Sequence, residues 1–436
     1  MRPPGHARAC PGWSPGHRGV RGLPGHGSGG PDGTDGHHLL GEGGAPTGRA
    51  TSSRVRLGRR RGWGRSRHHQ SIEAADVGEH GVNDYWYSIT ATLDQAATLG
   101  RGPSGGSTRL TLRHVPGSVL RGALAKSWID RHGPPSTAAP AERRQFEALF
   151  EGGAVFRPLF TSGPPVPLSV RFHKRTPRQG CTLTWDAALS DADLPATCPT
   201  CRGPLTSSKG ELPETLQSLV AGLDDPAPAA PVTRRDLHVQ ISRTGDTQVT
   251  GNLFEQHVVR RGTTVTGRLA TTPEAAEVLH TLIASCEGKI VLGGSRSTQG
   301  AATLVVSDAP TPTLERVGGT TDQVIVRLAA PGVFVDRLGR PAAAPYGAEL
   351  RQQLGSPVTV TRAWSDRWTV EGGWHAASGL PKPQERCVAA GASYVLASQN
   401  PVTDDALTRL AMRGVGLRRY EGFGALAVTE RAESWS

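Results

Sequence analysis

One arrangement occurs twice in this chain, about 120 residues apart, and it restricts the folds open to it. The late copy reads Ala392–Ala397 as a strand and Thr403 as the cap of a helix over Asp404–Met412. Gly414-Val-Gly-Leu-Arg418-Arg419-Tyr420-Glu421-Gly422-Phe423-Gly424 follows, and then the apolar stretch Ala425–Val428. The early copy has a strand-like Thr264–Leu269, then Thr272 as N-cap, Pro273 and Glu274 opening a helix. Leu279, Leu282, Ile283 and Cys286 share one stripe of that helix. Its loop is Gly293-Gly294-Ser-Arg296-Ser-Thr-Gln-Gly300, and Ala301–Val306 is the closing strand. Strand, helix, glycine-basic loop and strand, repeated, predict a duplicated α+β unit.

The loops are also the first chemical signal. Glycine adopts positive φ without penalty, so successive N–H groups can converge on an anion, and arginine supplies forked donors suited to phosphate. Gly293, Gly294, Arg296, Gly300, Gly414, Gly416, Arg418, Arg419, Gly422 and Gly424 are therefore candidate anion contacts. A pair of ordinary glycine hairpins is the competing reading. A dinucleotide fingerprint is excluded by order, because it needs a strand before the loop and a helix after it. A third candidate precedes both copies. Val115-Pro116-Gly117-Ser118 offers Ser118 as the cap of a helix to about Arg131, with Leu120, Ala123, Leu124 and Trp128 as its buried stripe and Gly133 as its stop. Arg121 lies off that stripe. A helix N-terminus beside an arginine suits an anion; plain capping with a solvated arginine suits the residues equally.

At 436 residues the chain predicts two or three domains. Its formal charge of +11 is uneven: residues 1–81 hold 12 arginines, no lysine and 6 acids, and so carry +6 of it. That stretch is rich in Gly, Pro, His and Arg without apolar periodicity, which predicts disorder. It contains 8 of the 15 histidines and Cys10. A metal-binding tail, a non-specific nucleic-acid arm and an over-extended reading frame are the three readings. The last is favoured, because patterned sequence starts abruptly at Asn83 and Val82 could come from an alternative start. No apolar run reaches the roughly 18 residues of a membrane span, and the basic start lacks a signal peptide's apolar region. With six cysteines and no even framework, the expectation is a cytoplasmic protein.

Residues from about 160 to 235 read as an insertion, Pro-rich and poorly periodic. Cys198-Pro-Thr-Cys201-Arg-Gly203 has the form of a zinc knuckle, in which a tight turn lets two thiolates chelate one tetrahedral ion. Cys181 is the third candidate ligand and His173 the fourth. A closed site of this kind would be structural. Two nearby thiols by chance is the plainer alternative. Cys286 fits a helix core, and Cys387 has no evident partner.

These residues resemble a known family. Val115–Ala125 is similar to the PGSxLRGAL segment of the CRISPR-associated RAMP superfamily. Ala389–Leu396 resembles the strand before that family's last helix, and Gly414–Gly424 its C-terminal glycine-rich loop. Within the superfamily the match is to the type III-D effector subunit of the Csx-ten type, which is Cas-five-like. The motifs concerned are Gly251-Asn-Leu-Phe254-Glu255, Gly262–Arg268, Gly293–Ser297, Gly373-Trp374 with Gly379-Leu-Pro381, and Arg418–Gly424. The resemblance covers about 84–430. Ala425 departs from the pattern, where many members carry a basic residue, and Thr250–Phe254 is less aromatic than usual.

The resemblance implies tandem ferredoxin-like, RRM-related domains: 83–308, a linker over 309–321, and 322–430. It implies a subunit of an RNA-guided interference complex that holds the crRNA 5′ handle. Its partners would be the large polymerase-like subunit and the backbone RAMP subunits, with target nucleic acid met indirectly and no membrane. The rival is an endoribonuclease, either processing crRNA like the Cas-six relatives or cutting target RNA. That would need a general base, for which His114, His257 and His375 are available without an obvious partner. Asp404-Asp405 sits at a helix start, where capping and the dipole account for it. A nucleotide-binding enzyme fails for want of a Gly-Lys-Ser/Thr loop.

Overall fold

In the computed structural model the described residues are 84–100, 108–175, 181, 184–189, 196–210, 232–241, 248–294, 298–375 and 380–428. All fall within one compact unit, Val77–Ser436. The readings of residues 1–82, including the tail and Cys10, lie outside them.

The first half is built from β1 (Tyr85–Leu93), α1 (Gly117–His132), α2 (Pro140–Phe150), β3 (Ala154–Phe160), β9 (Thr264–Thr271), α3 (Pro273–Ser285), β10 (Lys289–Val291) and β11 (Ala301–Asp308). Its antiparallel sheet runs β10-β11-β1-β9-β3. Leaving aside the short edge strand β10, the spatial order is fourth, first, third, second, which is the ferredoxin-like βαββαβ arrangement. The alternation of β1 decides which face is covered. Tyr87, Ile89, Ala91 and Leu93 join Leu120, Leu124, Trp128, Leu279 and Leu282 of the helices in one core. Thr272 caps α3 by accepting from the Ala275 N–H, as its sequence predicts.

The second half repeats the plan with β12 (Gln323–Arg327), α4 (Gly347–Leu354), β13 (Val358–Trp364), β18 (Ser393–Ser398) and α5 (Asp404–Arg413). Its sheet runs β12-β18-β13. The expected last strand is reduced to the Leu328–Leu426 bridge, flanked by hydrogen bonds from Ala329 to Ala425 and from Ala427 to Arg327. It still fills the fourth position of the ferredoxin-like order. Thr403 caps α5 through the Ala406 N–H. Between β13 and β18 lie two ribbons, β14 (Trp368–Glu371) with β17 (Glu385–Val388), and β15 (Trp374–His375) with β16 (Leu380–Pro381).

The insertion after β3 is ordered in two parts. β4 (Val170–His173), β5 (Thr184–Asp186) and β6 (Leu205–Ser207) form a small sheet, while β2 (Thr108–Arg109), β8 (Gln248–Val259) and β7 (Thr233–Ile241) form another. One local expectation is corrected. Ser118 is not the cap of α1: the helix starts at Gly117, with Pro116 in the cap position and no side-chain cap bond. Proline's fixed φ sets the helix going one residue early, and Pro116 O accepts from Val119 and Leu120.

The two halves are joined by buried contacts. Trp86, Val155 and Ala270 of the first sheet pack on Met412 of α5. Arg157 of β3, 4 % exposed, donates to Ala411 O at 2.6 Å and to Leu426 O, and its guanidinium lies 4.9 Å from the Trp86 ring centroid. Asp84 takes both forks of Arg413 at 2.9 Å. Arg157→Leu leaves two carbonyls without a charged donor and is expected to cost about 2–4 kcal/mol. Urea unfolding measures this, and an unchanged midpoint would show that Arg157 does not hold the halves.

Candidate metal centre and nucleic-acid interface

The four proposed metal ligands meet. His173 ends β4, Cys181 and Cys198 flank β5, and Cys201 follows within the knuckle; their ligand atoms all lie within 4.8 Å of one another. The turn is made by Arg202 N–H to Cys198 O at 2.9 Å, Cys198 N–H to Gly203 O at 2.8 Å and Gly203 N–H to Cys201 Sγ at 3.4 Å. Arg202 takes φ 60° to complete it. Cys198 and His173 are buried, and Trp185 packs edge-on against the imidazole. Among the described residues His173 Nε2 is buried without a hydrogen-bond partner, and Nδ1 stands 4.0 Å from Cys201 Sγ. Burial, then hydrogen bonds to Cys201 and Cys198, push the Cys181 thiol up to about 11. At Cys198 burial acts in the same direction, but the backbone N–H groups of Cys201 and Thr200 outweigh it and hold the thiol below its usual value. Three sulfurs and one imidazole in a closed set fit a tetrahedral ion of borderline softness and leave no position for substrate.

The second site joins segments far apart in sequence. Gly117, at the start of α1, packs against the Phe156 carbonyl, and a Cβ there would lie 2.8 Å from Glu421 O. From the other side Gly422, at φ 89°, would drive a Cβ into Phe156 O and within 3.1 Å of Gly117 Cα. Glycine is required at both positions by this close approach. The start of α1 and the last glycine-rich loop thus abut, and Arg121 extends over the Tyr420 ring at 5.2 Å.

Around this junction the arginines divide by role. Arg121 donates to Phe150 O at 3.0 and 2.9 Å and to Glu151 at 3.1 Å. Arg418, at φ 56°, pairs with Glu385 at 2.9 Å and Glu421 at 2.7 Å, over the Phe423 ring, with a side chain 14 % exposed. Lys382 reaches Glu421 at 2.7 Å. Arg419 is the loosest: its nearest carboxylate, Glu349, is 3.9 Å away, and its side chain is 34 % exposed. Ser118 and Tyr420 are partly exposed beside it. Gly414 packs on the Gly424 carbonyl and Gly424 on that of Val415, and the Gly416 N–H donates to Glu349 at 2.7 Å while Gly416 packs on Phe334.

The early loop lies elsewhere. Gly293 and Gly300 take φ 84° and 88°, and Gly294 and Gly300 donate to Thr98 O and Ala96 O. Arg296 lies outside the described residues, and among those described no contact joins the two loops. Of the three histidines, His114 packs tilted against Phe160, His257 meets Glu255 at 2.8 Å, and the side chain of His375 is not described. Cys387 is buried with Val333 and Phe423, and burial pushes its thiol up to about 12. Glu385, Lys382, Glu349 and Arg157 went unmarked in the sequence; only the i, i+3 spacing of Arg418 and Glu421 hinted at a pair.

No family model matches the chain, and no curated protein matches it. Among solved structures it is similar to a chain of the Type III-B Cmr-beta complex bound to cognate target RNA, at 12 % identity and TM-score 0.31, covering 51 % of this chain and 97 % of that one. It is similar to a chain of the same complex with target RNA and AMPPnP, at 10 % identity and TM-score 0.38, covering 71 % and 86 %. A third is a CRISPR associated protein Cas6, at 9 % identity and TM-score 0.33, covering 79 % and 99 %. Likeness of this degree carries no functional assignment.

Burial raises the Glu421 pKa, but the hydrogen bonds from Arg418 and Lys382 outweigh it and hold the group below its usual 4.5. Its contribution to stability is therefore complete above about pH 4.5 and is lost as pH falls through the folded-state value. Glu421→Gln should lower stability by about 1–3 kcal/mol at pH 7 and flatten the acid limb between about pH 5 and 3. Urea titrations across that range test it; an unaltered acid limb would contradict it.

Proposed function

We propose that this chain is an RNA-binding subunit of a type III CRISPR interference complex, of the III-D kind that its motifs resemble. In this reading it works in the cytoplasm, holds the repeat-derived 5′ handle of a crRNA and seats the polymerase-like and backbone RAMP subunits. One observation carries it: the start of α1 and the Gly414–Gly424 loop, about 300 residues apart, abut. A sugar–phosphate chain crossing there would meet the first-turn N–H groups of α1 at the positive end of its dipole, the Ser118 hydroxyl, the Tyr420 ring and the Arg419 fork. Arg418 braces the same surface through its two carboxylates. For the His173, Cys181, Cys198 and Cys201 set we propose zinc, a closed structural ion tying β4 to the knuckle.

Fluorescence anisotropy with a short repeat-derived RNA tests the first part. Arg419→Ala should weaken binding by about 1 kcal/mol and reduce the salt slope by about 1. Arg418→Ala should chiefly lower the melting temperature. The RNA should be recovered intact; site-specific cleavage that vanishes in His114→Ala would replace this reading with a ribonuclease. For the metal, Cys198→Ser should lower bound zinc and thermal stability together. Protein that purifies metal-free and equally stable would dispose of the ion.

A further inference from the structure

We propose that the β2–β8–β7 ribbon carries a second RNA contact, a stacking platform for one unpaired nucleobase formed by Phe254, His238 and Arg109. The proposal rests on the RNA-binding reading above but uses a different sheet from the α1 junction.

Phe254 stands on the middle strand. His238 lies directly opposite it on β7, with ring centroids 5.1 Å apart and planes inclined by 13°. From β2, on the other side, the Arg109 guanidinium carbon lies 5.0 Å from the Phe254 centroid. Three planar groups thus line up across three strands. The row is not sunk in a core: Arg109 is exposed, and Phe254 and His238 are only partly buried. Among the described residues Arg109 makes no ion pair, and His238 Nε2 is screened from solvent without a hydrogen-bond partner. Among the described residues, an uncompensated cation at one end of an aromatic row is a surface short of one planar stacking group.

A nucleobase supplies that group. Bases stack on aromatic rings and on guanidinium planes. The same face leads toward the early glycine loop. Along β8 the next inward residue, Gln256, is buried and donates to Thr98 Oγ1, which donates to Gln299 Oε1 at 2.7 Å. A base on the platform would leave its flanking phosphates near the loop that holds Gln299. Purines, with the larger π-face, should be preferred.

The test uses the full chain and an unstructured RNA of about nine nucleotides carrying 2-aminopurine at each position in turn. Binding should quench the fluorophore strongly at one position. Phe254→Ala should abolish that quench and weaken binding by about 10-fold, while Phe254→Trp keeps both. Arg109→Ala, at an exposed residue whose loss leaves the fold intact, should weaken binding by about 3- to 10-fold. An abasic nucleotide at the quenched position should erase the difference between wild type and Phe254→Ala. Equal binding by wild type, Phe254→Ala and Arg109→Ala, or quenching at no position, overturns the platform. If Arg419→Ala still weakens binding in that case, only the platform falls. A wild-type chain that binds no RNA overturns both readings.

Discussion

The two halves depend on a buried positive charge, Arg157, that has no carboxylate partner among the described residues. Burial, then the nearby Arg268, pulls Arg157 down to about 9, so the cation is costly where it stands. What holds it is the negative end of α5. Ala411 is in the last turn of that helix, where carbonyls have no intrahelical donor, and Leu426 lies in the segment that completes the second sheet. One guanidinium therefore satisfies a helix end and a strand that arrive from the other half. The Trp86 face lies over the guanidinium, and Arg157 is only 4 % exposed, so little water competes for those bonds.

That requirement explains much of the glycine pattern. Positive φ and the absence of a side chain first suggested backbone wrapped round an anion. At Gly117 and Gly422 the absent side chain instead admits Phe156 O and the opposing backbone. The same packing places Tyr420, Ser118 and Arg419 at the rim of the junction. Charge is divided in the same way: Arg418 is spent on Glu385 and Glu421, and Arg419 keeps the looser position.

What was legible in the sequence was local. The Thr272 and Thr403 caps and the stripes on α1 and α3 were readable because each is fixed by neighbours within a few residues. The Cys198–Cys201 turn was readable for the same reason, and Cys181 and His173 followed from proximity in the chain. Long-range partners were not readable. Arg157 finds acceptors 254 and 269 positions away, and Arg418 finds Glu385 across an intervening strand and helix. Ser118 misled because the sequence preference for a serine cap was overridden by the proline two residues before it. The last strand, expected over Ala425–Val428, is reduced to one bridge and two flanking backbone hydrogen bonds.

This short closing strand bears on how the polypeptide matures as it leaves the ribosome. The first sheet can assemble once β11 has emerged, but Arg157 then faces outward from an apolar surface with nothing to receive it. Its acceptors are synthesised more than 250 residues after it. Docking of the halves therefore waits until the segment around Leu426 has been made, and the first domain presents that apolar surface throughout the interval, when it is most open to non-native association.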